Sequence, residues 1–317
     1  MLTIFVFINL AILVKGHGAR SRNHAAWQHL NVGHSQSILE QLPSTGLGMS
    51  RIDAGNHSFT YAFIAHDEDS FQVKDPMVRA LEPGLSALWL AKVKPCCERG
   101  GVVIDVGSHF GYYSLLGNAL GCSFEAFEPV PAFRSVLEFN IMINRARGIV
   151  HPYAVGLMRE TVHMIVPATG ILGTARITDG DEDNALSVEK HRLDNFFQVD
   201  HSENICILKV DVEGYEPEVL LSAKELVRSR AIRNVMLEFS PGYNKAGLLD
   251  MLQLLYDSGY EAFNVPWDTA KVAKRIGNIE ASEVLCSTCR VDISNNDTRQ
   301  HFIDHVNFNT NLWLQLE

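Results

Sequence analysis

Short apolar runs alternate with segments of helical periodicity through most of the chain after residue 100. The apolar runs end at glycine, proline or charged residues, as buried strands do. Between them, apolar residues recur three and four positions apart, as in Phe133, Val136, Leu137 and Ile141. This alternation predicts an α/β fold with a doubly wound, mostly parallel sheet. The predicted strands are 102–107, 124–129, 148–155, 205–210, 234–239, 260–265 and 284–293, with a hairpin over 161–166 and 174–177.

The first 75 residues lack this alternation. Residues 4–14 are almost wholly apolar and are followed by Lys15 and small residues, which predicts a signal peptide or a short signal anchor over 1–19. Such a run is too short to cross about 30 Å of hydrocarbon comfortably, so no stable membrane span is expected unless it is an uncleaved anchor. We expect residues 20–75 to form a loosely structured extension with a hairpin near 58–64, and residues 76–317 to form the main domain.

Composition narrows the class of protein. The chain has 317 residues and is 46% hydrophobic, so it can bury one large core. Its formal net charge is -10, and no cluster of lysine and arginine stands out. Because phosphate contacts dominate nucleic-acid binding, this charge argues against a nucleic-acid partner.

Six cysteines and two N-glycosylation sequons agree with passage through an oxidising secretory compartment. The sequence leaves disulfides, inert thiols and a zinc site open. A four-thiolate zinc site would use two adjacent cysteines, which do not easily ligate the same tetrahedral ion, so disulfides are favoured. The zinc candidates are Cys96, Cys97, Cys286 and Cys289, and the sequons begin at Asn56 and Asn296.

Two acids stand at the ends of consecutive predicted strands. Asp105 precedes a turn that contains Gly107 and Gly111, and Glu128 ends the next strand about twenty residues later. A strand, a glycine turn and a helix, followed by an acid at this distance, are how a Rossmann-type sheet holds a nucleoside cofactor. The spacing therefore predicts a nucleoside site at this edge of the sheet.

The charge of Asp105 favours one class of cofactor. The residue is expected to face the crevice, where it would repel a pyrophosphate by about 4 kcal/mol for unit charges roughly 4 Å apart at an effective dielectric near 20. S-adenosylmethionine instead brings a sulfonium, an ammonium and a ribose diol that Glu128 can bind. It is therefore the predicted cofactor, and an NAD-linked oxidoreductase is disfavoured. The predicted cofactor-binding residues are Asp105, Gly107, Ser108, Gly111, Glu128 and Ala154.

Three further acids suggest a place for chemistry. Asp211 and Glu213 follow the strand 205–210 on one side of an extended segment, and Glu238 ends the strand 234–239. A carboxylate positioned there could remove the proton of an acceptor hydroxyl, and Asp211 is the first choice of base, with Glu213 and Glu238 beside it. The alternatives are a divalent cation site and helix capping. No metal is predicted, His109 is expected to be a solvated loop residue with contact to substrate or cofactor as the alternative, and whether Asp194 reaches the site is open.

These motifs resemble the FkbM-type S-adenosylmethionine-dependent methyltransferases, usually O-methyltransferases of sugars and polyketides. The resemblance covers roughly residues 100–242 and departs from the family at Ser108 and His109, where a small residue and asparagine are more usual. It implies a class I methyltransferase sheet whose final strand is antiparallel. The residues that carry it are 104–107, 111–115, 127–129, Asn140, Asn144, 192–194, 208–220 and 237–241.

The sequence therefore predicts an S-adenosylmethionine-dependent O-methyltransferase over 76–317. Its expected acceptor is a hydroxyl of a glycan or small molecule in the endoplasmic reticulum or Golgi lumen, or outside the cell. The alternative is a catalytically silent lumenal or secreted binding protein that keeps the fold. The sequence does not predict the oligomeric state.

Overall fold

The computed structural model describes residues 32–76, 78–178, 180, 184–197, 204–239, 245–265, 284, 289–306 and 309–316. The predicted signal segment 1–19 lies outside the described residues. The helices are α1 (Val32–Gln41), α2 (Phe71–Lys74), α3 (Pro83–Leu88), α4 (Lys94–Cys97), α5 (Tyr112–Ala119), α6 (Pro131–Asn144), α7 (Glu216–Ser222), α8 (Lys224–Arg228), α9 (Lys245–Asp257) and α10 (Asn296–His305). A π-helical turn, Trp89–Val93, joins α3 to α4.

Three sheets organise the described chain. The strands are β1 (Leu47–Ala54), β2 (His57–Ile64), β3 (Val102–Val106), β4 (Ser123–Phe127), β5 (Gly148–His151), β6 (Ala154–Val155), β7 (Glu160–Ile165), β8 (Arg176–Thr178), β9 (Leu186–His191), β10 (Ile205–Val210), β11 (Asn234–Phe239), β12 (Tyr260–Val265), β13 (Arg290–Val291) and β14 (Thr310–Leu316). The hairpin β1–β2 stands alone, the main sheet has the order β13-β12-β14-β11-β10-β3-β4-β5, and a smaller sheet has the order β6-β9-β7-β8.

The main sheet confirms the predicted fold class. Strands β5, β4, β3, β10 and β11 are parallel neighbours, and β14 lies antiparallel between β11 and β12. This is an α/β sheet of the class I methyltransferase type, mostly parallel with an antiparallel final strand. The final strand is Thr310–Leu316 and not 284–293, where only Arg290–Val291 is a described strand.

The third predicted strand, 148–155, divides between two sheets. Gly148–His151 forms the edge of the main sheet, whereas Ala154–Val155 pairs with β9 in the smaller sheet. Pro152 lies at the division, and proline cannot donate a ladder hydrogen bond. The predicted hairpin 161–166 and 174–177 is confirmed as β7 and β8.

The hairpin expected near 58–64 is present as β1 and β2, but it is part of the core and does not belong to a loosely structured extension. Ile52, Phe59 and Tyr61 are buried in the main hydrophobic cluster. Asn140 and Asn144 of α6 bind β2 as a neighbouring strand would. Each side chain accepts from one backbone N–H of β2 and donates to a carbonyl of the same residue, at 2.7 to 2.8 Å.

Two disulfides join the amino ends of the central strands. Cys96 bonds to Cys206 at the start of β10, and Cys97 bonds to Cys122 just before β4. These pairings rule out the zinc site proposed for Cys96 and Cys97, and Cys289 is disulfide-bonded as well. No helix in the described parts of the chain is both long and apolar enough to span a bilayer.

Candidate functional site

The turn after β3 needs glycine at two places. Gly107 has φ +73°, and a Cβ there would lie 1.8 Å from the carbonyl oxygen of Asp211. Gly111 has φ +83°, and a Cβ would lie 2.1 Å from Leu137. The backbone therefore requires glycine at both positions. Because the two glycines have no side chains, the turn lies against the end of β10 and the middle of α6.

The structure places Asp105 beneath this turn and not in the crevice. Its side chain is buried, and its carboxylate accepts hydrogen bonds from the backbone N–H and the hydroxyl of Ser114, at 3.0 and 2.7 Å. Lys209 Nζ lies 3.5 Å from the other carboxylate oxygen. Asp105 lines neither of the two cavities described in the following paragraphs. It therefore supports the glycine turn after β3 from the buried side. The charge argument against a pyrophosphate loses its geometric basis.

Glu128 lies where the sequence predicted the ribose acid. Its carboxylate accepts the backbone N–H groups of His109 and Val130, both at 2.8 Å. Burial raises the pKa of Glu128 to about 7, although the two N–H groups act in the opposite direction. The turn and the second strand end are therefore joined through this carboxylate.

A mainly apolar cavity of about 60 Å³ lies beside Glu128. Its floor comes from the ends of β3, β4 and β6, and its roof from the hairpin β7–β8. Of the predicted cofactor residues, Gly107, Glu128 and Ala154 line it, whereas Asp105, Ser108 and Gly111 do not. We call it the nucleoside cavity, and its lining residues are Val106, Gly107, His109, Phe127, Glu128, Pro129, Val130, Phe133, Tyr153, Ala154, Val155, Met164, Gly173, Ala175, Ile177, Asp211, Val212 and Tyr215.

A second cavity, of about 330 Å³, adjoins the first. It brings together Ser108 and all three predicted catalytic acids, and we call it the acidic cavity. The two cavities share Gly107, His109, Gly173 and Asp211. The other residues that line the acidic cavity are Tyr61, Asp69, Leu81, Glu82, Ser108, Tyr112, Tyr113, Ile171, Thr174, Lys209, Glu213, Glu238, Asn309, Thr310 and Asn311.

The three predicted acids lie close together. One carboxylate oxygen from each of Asp211, Glu213 and Glu238 lies within 4.8 Å of the other two. Burial, followed by the charge of Asp211, raises the pKa of Glu213 to about 8 and the pKa of Glu238 to about 10. Near neutral pH, Glu213 and Glu238 therefore hold protons. Glu216, the first residue of α7, accepts two backbone N–H groups of the preceding loop, whereas the N-cap residue Tyr215 makes no side-chain cap hydrogen bond.

Lys209 connects the acids to the glycine turn, a role that the sequence analysis missed. Its buried ammonium donates to the carbonyl of Gly107 at 2.8 Å and lies 3.2 Å from Asp211 and 3.5 Å from Asp105. Burial lowers the pKa of Lys209, but the carboxylates of Asp211 and Asp105 outweigh that effect and leave the pKa above its ordinary value. The lysine therefore stays charged and forms an ion pair with Asp211.

Other parts of the site had no signal in the sequence. Tyr61, Asp69 and Glu82 reach the acidic cavity from the N-terminal region, and residues 309–311 reach it from the start of β14. Asp194, whose position was left open, does not reach either cavity. Its carboxylate accepts the backbone N–H groups of Glu225 and Leu226, both at 3.2 Å, and so caps α8.

The raised pKa of Glu128 predicts a pH dependence of nucleoside binding. Ribose hydroxyls donate most strongly to an ionised carboxylate, so the affinity for S-adenosylhomocysteine should rise with pH and level off above about pH 7. Isothermal titration between about pH 6 and about pH 8 would measure it. The control is Glu125→Gln on the same strand, outside both cavities, where Glu125 contacts His151. An affinity that is flat with pH in the wild type would contradict the prediction.

A protein family model matches part of the chain. Residues 105–262 match the methyltransferase FkbM domain family, and that range contains every predicted cofactor and catalytic residue. No curated protein matches the chain.

Solved methyltransferase structures also resemble the fold. A SAM-dependent methyltransferase from Agrobacterium tumefaciens has a TM-score of 0.40 and 11% identity, over 87% of this chain and 72% of that one. A Thermus thermophilus 16S rRNA N2 G1207 methyltransferase in complex with AdoMet and guanosine has 0.38 and 12%, over 87% and 52%. A putative sarcosine dimethylglycine methyltransferase from Galdieria sulphuraria has 0.37 and 14%, over 73% and 85%.

Proposed function

We propose that this chain, an S-adenosylmethionine-dependent methyltransferase whose residues 105–262 belong to the FkbM methyltransferase domain family, methylates a hydroxyl of a glycan or small molecule. The observation that supports this most is the shared wall between the two cavities. Asp211 lies in that wall, where a nucleoside cofactor on one side would meet an acceptor on the other.

The residues that line the two cavities fit S-adenosylmethionine. Glu128 offers a carboxylate for ribose hydroxyls, and the acidic cavity offers negative charge to a sulfonium. When bound, S-adenosylmethionine supplies an electrophilic methyl group on that sulfonium. The residues of the chain must hold the acceptor oxygen in line, at about 3 to 3.5 Å from the methyl carbon.

An aliphatic hydroxyl must also lose its proton. Of the three clustered acids, Asp211 is the one paired with an ammonium, at 3.2 Å from Lys209 Nζ, so we assign it the role of proton acceptor. Glu213 and Glu238 carry protons near neutral pH and can instead donate hydrogen bonds to the acceptor. The excess of acids in the acidic cavity disfavours a polyanionic acceptor, so no nucleic-acid partner is proposed.

The cysteines and sequons support a location in the secretory pathway, in the endoplasmic reticulum or Golgi lumen, or secretion. Cys96, Cys97, Cys122 and Cys206 are buried and fully paired, and structural disulfides form in oxidising compartments. Both sequon asparagines are exposed. Asn56 lies in the turn between β1 and β2, and Asn296 is the first residue of α10.

Titration calorimetry with S-adenosylmethionine, S-adenosylhomocysteine and NAD tests the cofactor side of the proposal. We expect heat from the first two and none from NAD. A screen of methyl glycosides and polyols with methyl-labelled cofactor then tests the acceptor side. Binding without transfer of label to any hydroxyl would favour a catalytically silent binding protein, and no binding of either adenosyl compound would overturn the proposal.

A further inference from the structure

His109 carries a polar atom that the protein itself does not use. Its Nε2 is buried and has no hydrogen-bond partner among the described residues, so the expectation of a solvated side chain is wrong. An unpaired buried polar atom costs about 1 to 3 kcal/mol, so nearly all such atoms in native proteins have a partner. A binding site is where a missing partner is expected to be a ligand atom.

The backbone and the ring of His109 are fixed by contacts with neighbouring residues. The backbone N–H of His109 donates to Glu128 at 2.8 Å, and its φ of +51° is in the left-handed region. The ring stacks on Phe110 with centroids 3.6 Å apart and meets the edge of Phe133 at 4.6 Å. Burial lowers the pKa of His109 to about 4, so the imidazole is neutral near pH 7. The unpaired nitrogen is therefore a fixed, uncharged hydrogen-bonding group.

The position of His109 indicates which ligand atom it meets. His109 and Asp211 are the only residues with polar side chains, among those described, that line both cavities. In an adenosyl sulfonium cofactor the ribose lies between the base and the sulfur. With the base in the nucleoside cavity and the methyl group directed to the acidic cavity, the ribose lies at the border. Glu128, the predicted ribose acid, is already bonded to the backbone of His109.

We propose that His109 Nε2 hydrogen-bonds one hydroxyl of the cofactor ribose, so that His109 and Glu128 hold the diol together. This rests on the cofactor named under the proposed function.

Deletion of single hydroxyl groups tests the contact by binding alone. S-adenosylhomocysteine and its 2′-deoxy and 3′-deoxy analogues are titrated into the wild type, His109→Phe and His109→Asn. Phenylalanine keeps the ring packing and removes the nitrogen, and asparagine tolerates the left-handed backbone. We expect each variant to bind S-adenosylhomocysteine about tenfold more weakly. In the wild type, one of the two deoxy analogues should bind about tenfold more weakly than S-adenosylhomocysteine does. In each variant, that same analogue should bind as tightly as S-adenosylhomocysteine does.

Three results would overturn the proposal, and they are distinguishable. If both deoxy penalties persist in the variants, the hydroxyls are held by other groups. If the variants bind the parent compound like the wild type, His109 Nε2 contributes nothing. If the wild type does not bind S-adenosylhomocysteine, the cofactor assignment fails as well. His109→Asn keeps the test usable if the phenylalanine variant does not fold, and thermal unfolding of each variant separates lost folding from a lost contact.

Discussion

Asp211→Asn should lower turnover by a factor on the order of 10² to 10⁴ while leaving the affinity for S-adenosylhomocysteine nearly unchanged. The substitution keeps the size of the side chain and removes the carboxylate that lies 3.2 Å from Lys209 Nζ in the cluster of three acids. An amide cannot accept the proton that an acceptor hydroxyl must lose. Single-turnover transfer of labelled methyl and titration calorimetry measure the two quantities separately.

The matched control is Asp53→Asn, the same chemical change on exposed β1, where Asp53 contacts Arg51 and Arg79. It should leave both turnover and binding as in the wild type. Equal losses of turnover and of S-adenosylhomocysteine affinity in Asp211→Asn would make Asp211 a cofactor-binding residue. Full activity would show that another group takes the proton.

The residual activity of Asp211→Asn also separates the neighbouring acids. The charge of Asp211 is the second-largest cause, after burial, of the raised pKa of both Glu213 and Glu238. Without that charge the pKa of Glu213 falls from about 8 toward its ordinary value, so Glu213 is ionised at lower pH. Any activity that Glu213 supports in the variant should therefore begin at a lower pH than the pKa of about 8 that Glu213 has in the wild type.

The same three carboxylates could also hold a divalent cation, since hard oxygen ligands suit Mg²⁺ and Ca²⁺. A chelator distinguishes the two roles. If the wild type keeps its activity in excess chelator, the carboxylates act on the proton and the metal alternative fails. If activity is lost and returns with Mg²⁺, the assignment of Asp211 as base is wrong.

The strands at the centre of the sheet could be predicted, and the edges could not. Ile205–Val210 and Asn234–Phe239 match their predicted bounds because both faces are buried and the apolar run is continuous. The final strand, Thr310–Leu316, was missed because it begins with buried Thr310 and Asn311. This strand lies between β11 and β12 and provides hydrogen-bond partners for their backbone groups. The local sequence pattern does not reveal that pairing.

In the candidate site, too, some residues could be predicted from the local sequence, whereas others are brought together only by tertiary packing. Gly107, Glu128 and Asp211 could be found because each lies at the end of a strand, where chain position alone sets location. Asp105 was expected in the crevice. The side chains that enclose it, Ser114 and Lys209, come from a helix and from a neighbouring strand, and no spacing in the sequence reports that enclosure. The acidic residues of the N-terminal region are likewise brought in by tertiary packing alone.

Removing the Cys96–Cys206 disulfide should cost more stability than removing Cys97–Cys122. The first joins residues 110 apart and the second residues 25 apart. In the chain-entropy model a loop of about 100 residues is worth about 4.7 kcal/mol and a loop of about 25 residues about 3.5 kcal/mol. Denaturant unfolding of the two double alanine variants, Cys96→Ala/Cys206→Ala and Cys97→Ala/Cys122→Ala, measures both free energies.

Both cysteines of a pair must be replaced together. Cys122 Sγ lies 3.5 Å from Cys206 Sγ, so a single substitution would leave a thiol beside the other disulfide, where exchange could re-pair the sulfurs. Equal losses from the two double variants would contradict the loop-length argument. Free thiols in the wild type from an oxidising host would contradict the pairing itself and remove the main support for a secretory location. Because these disulfides lie at the amino ends of the strands and both cavities at the carboxyl ends, each variant should still bind S-adenosylhomocysteine below its unfolding transition.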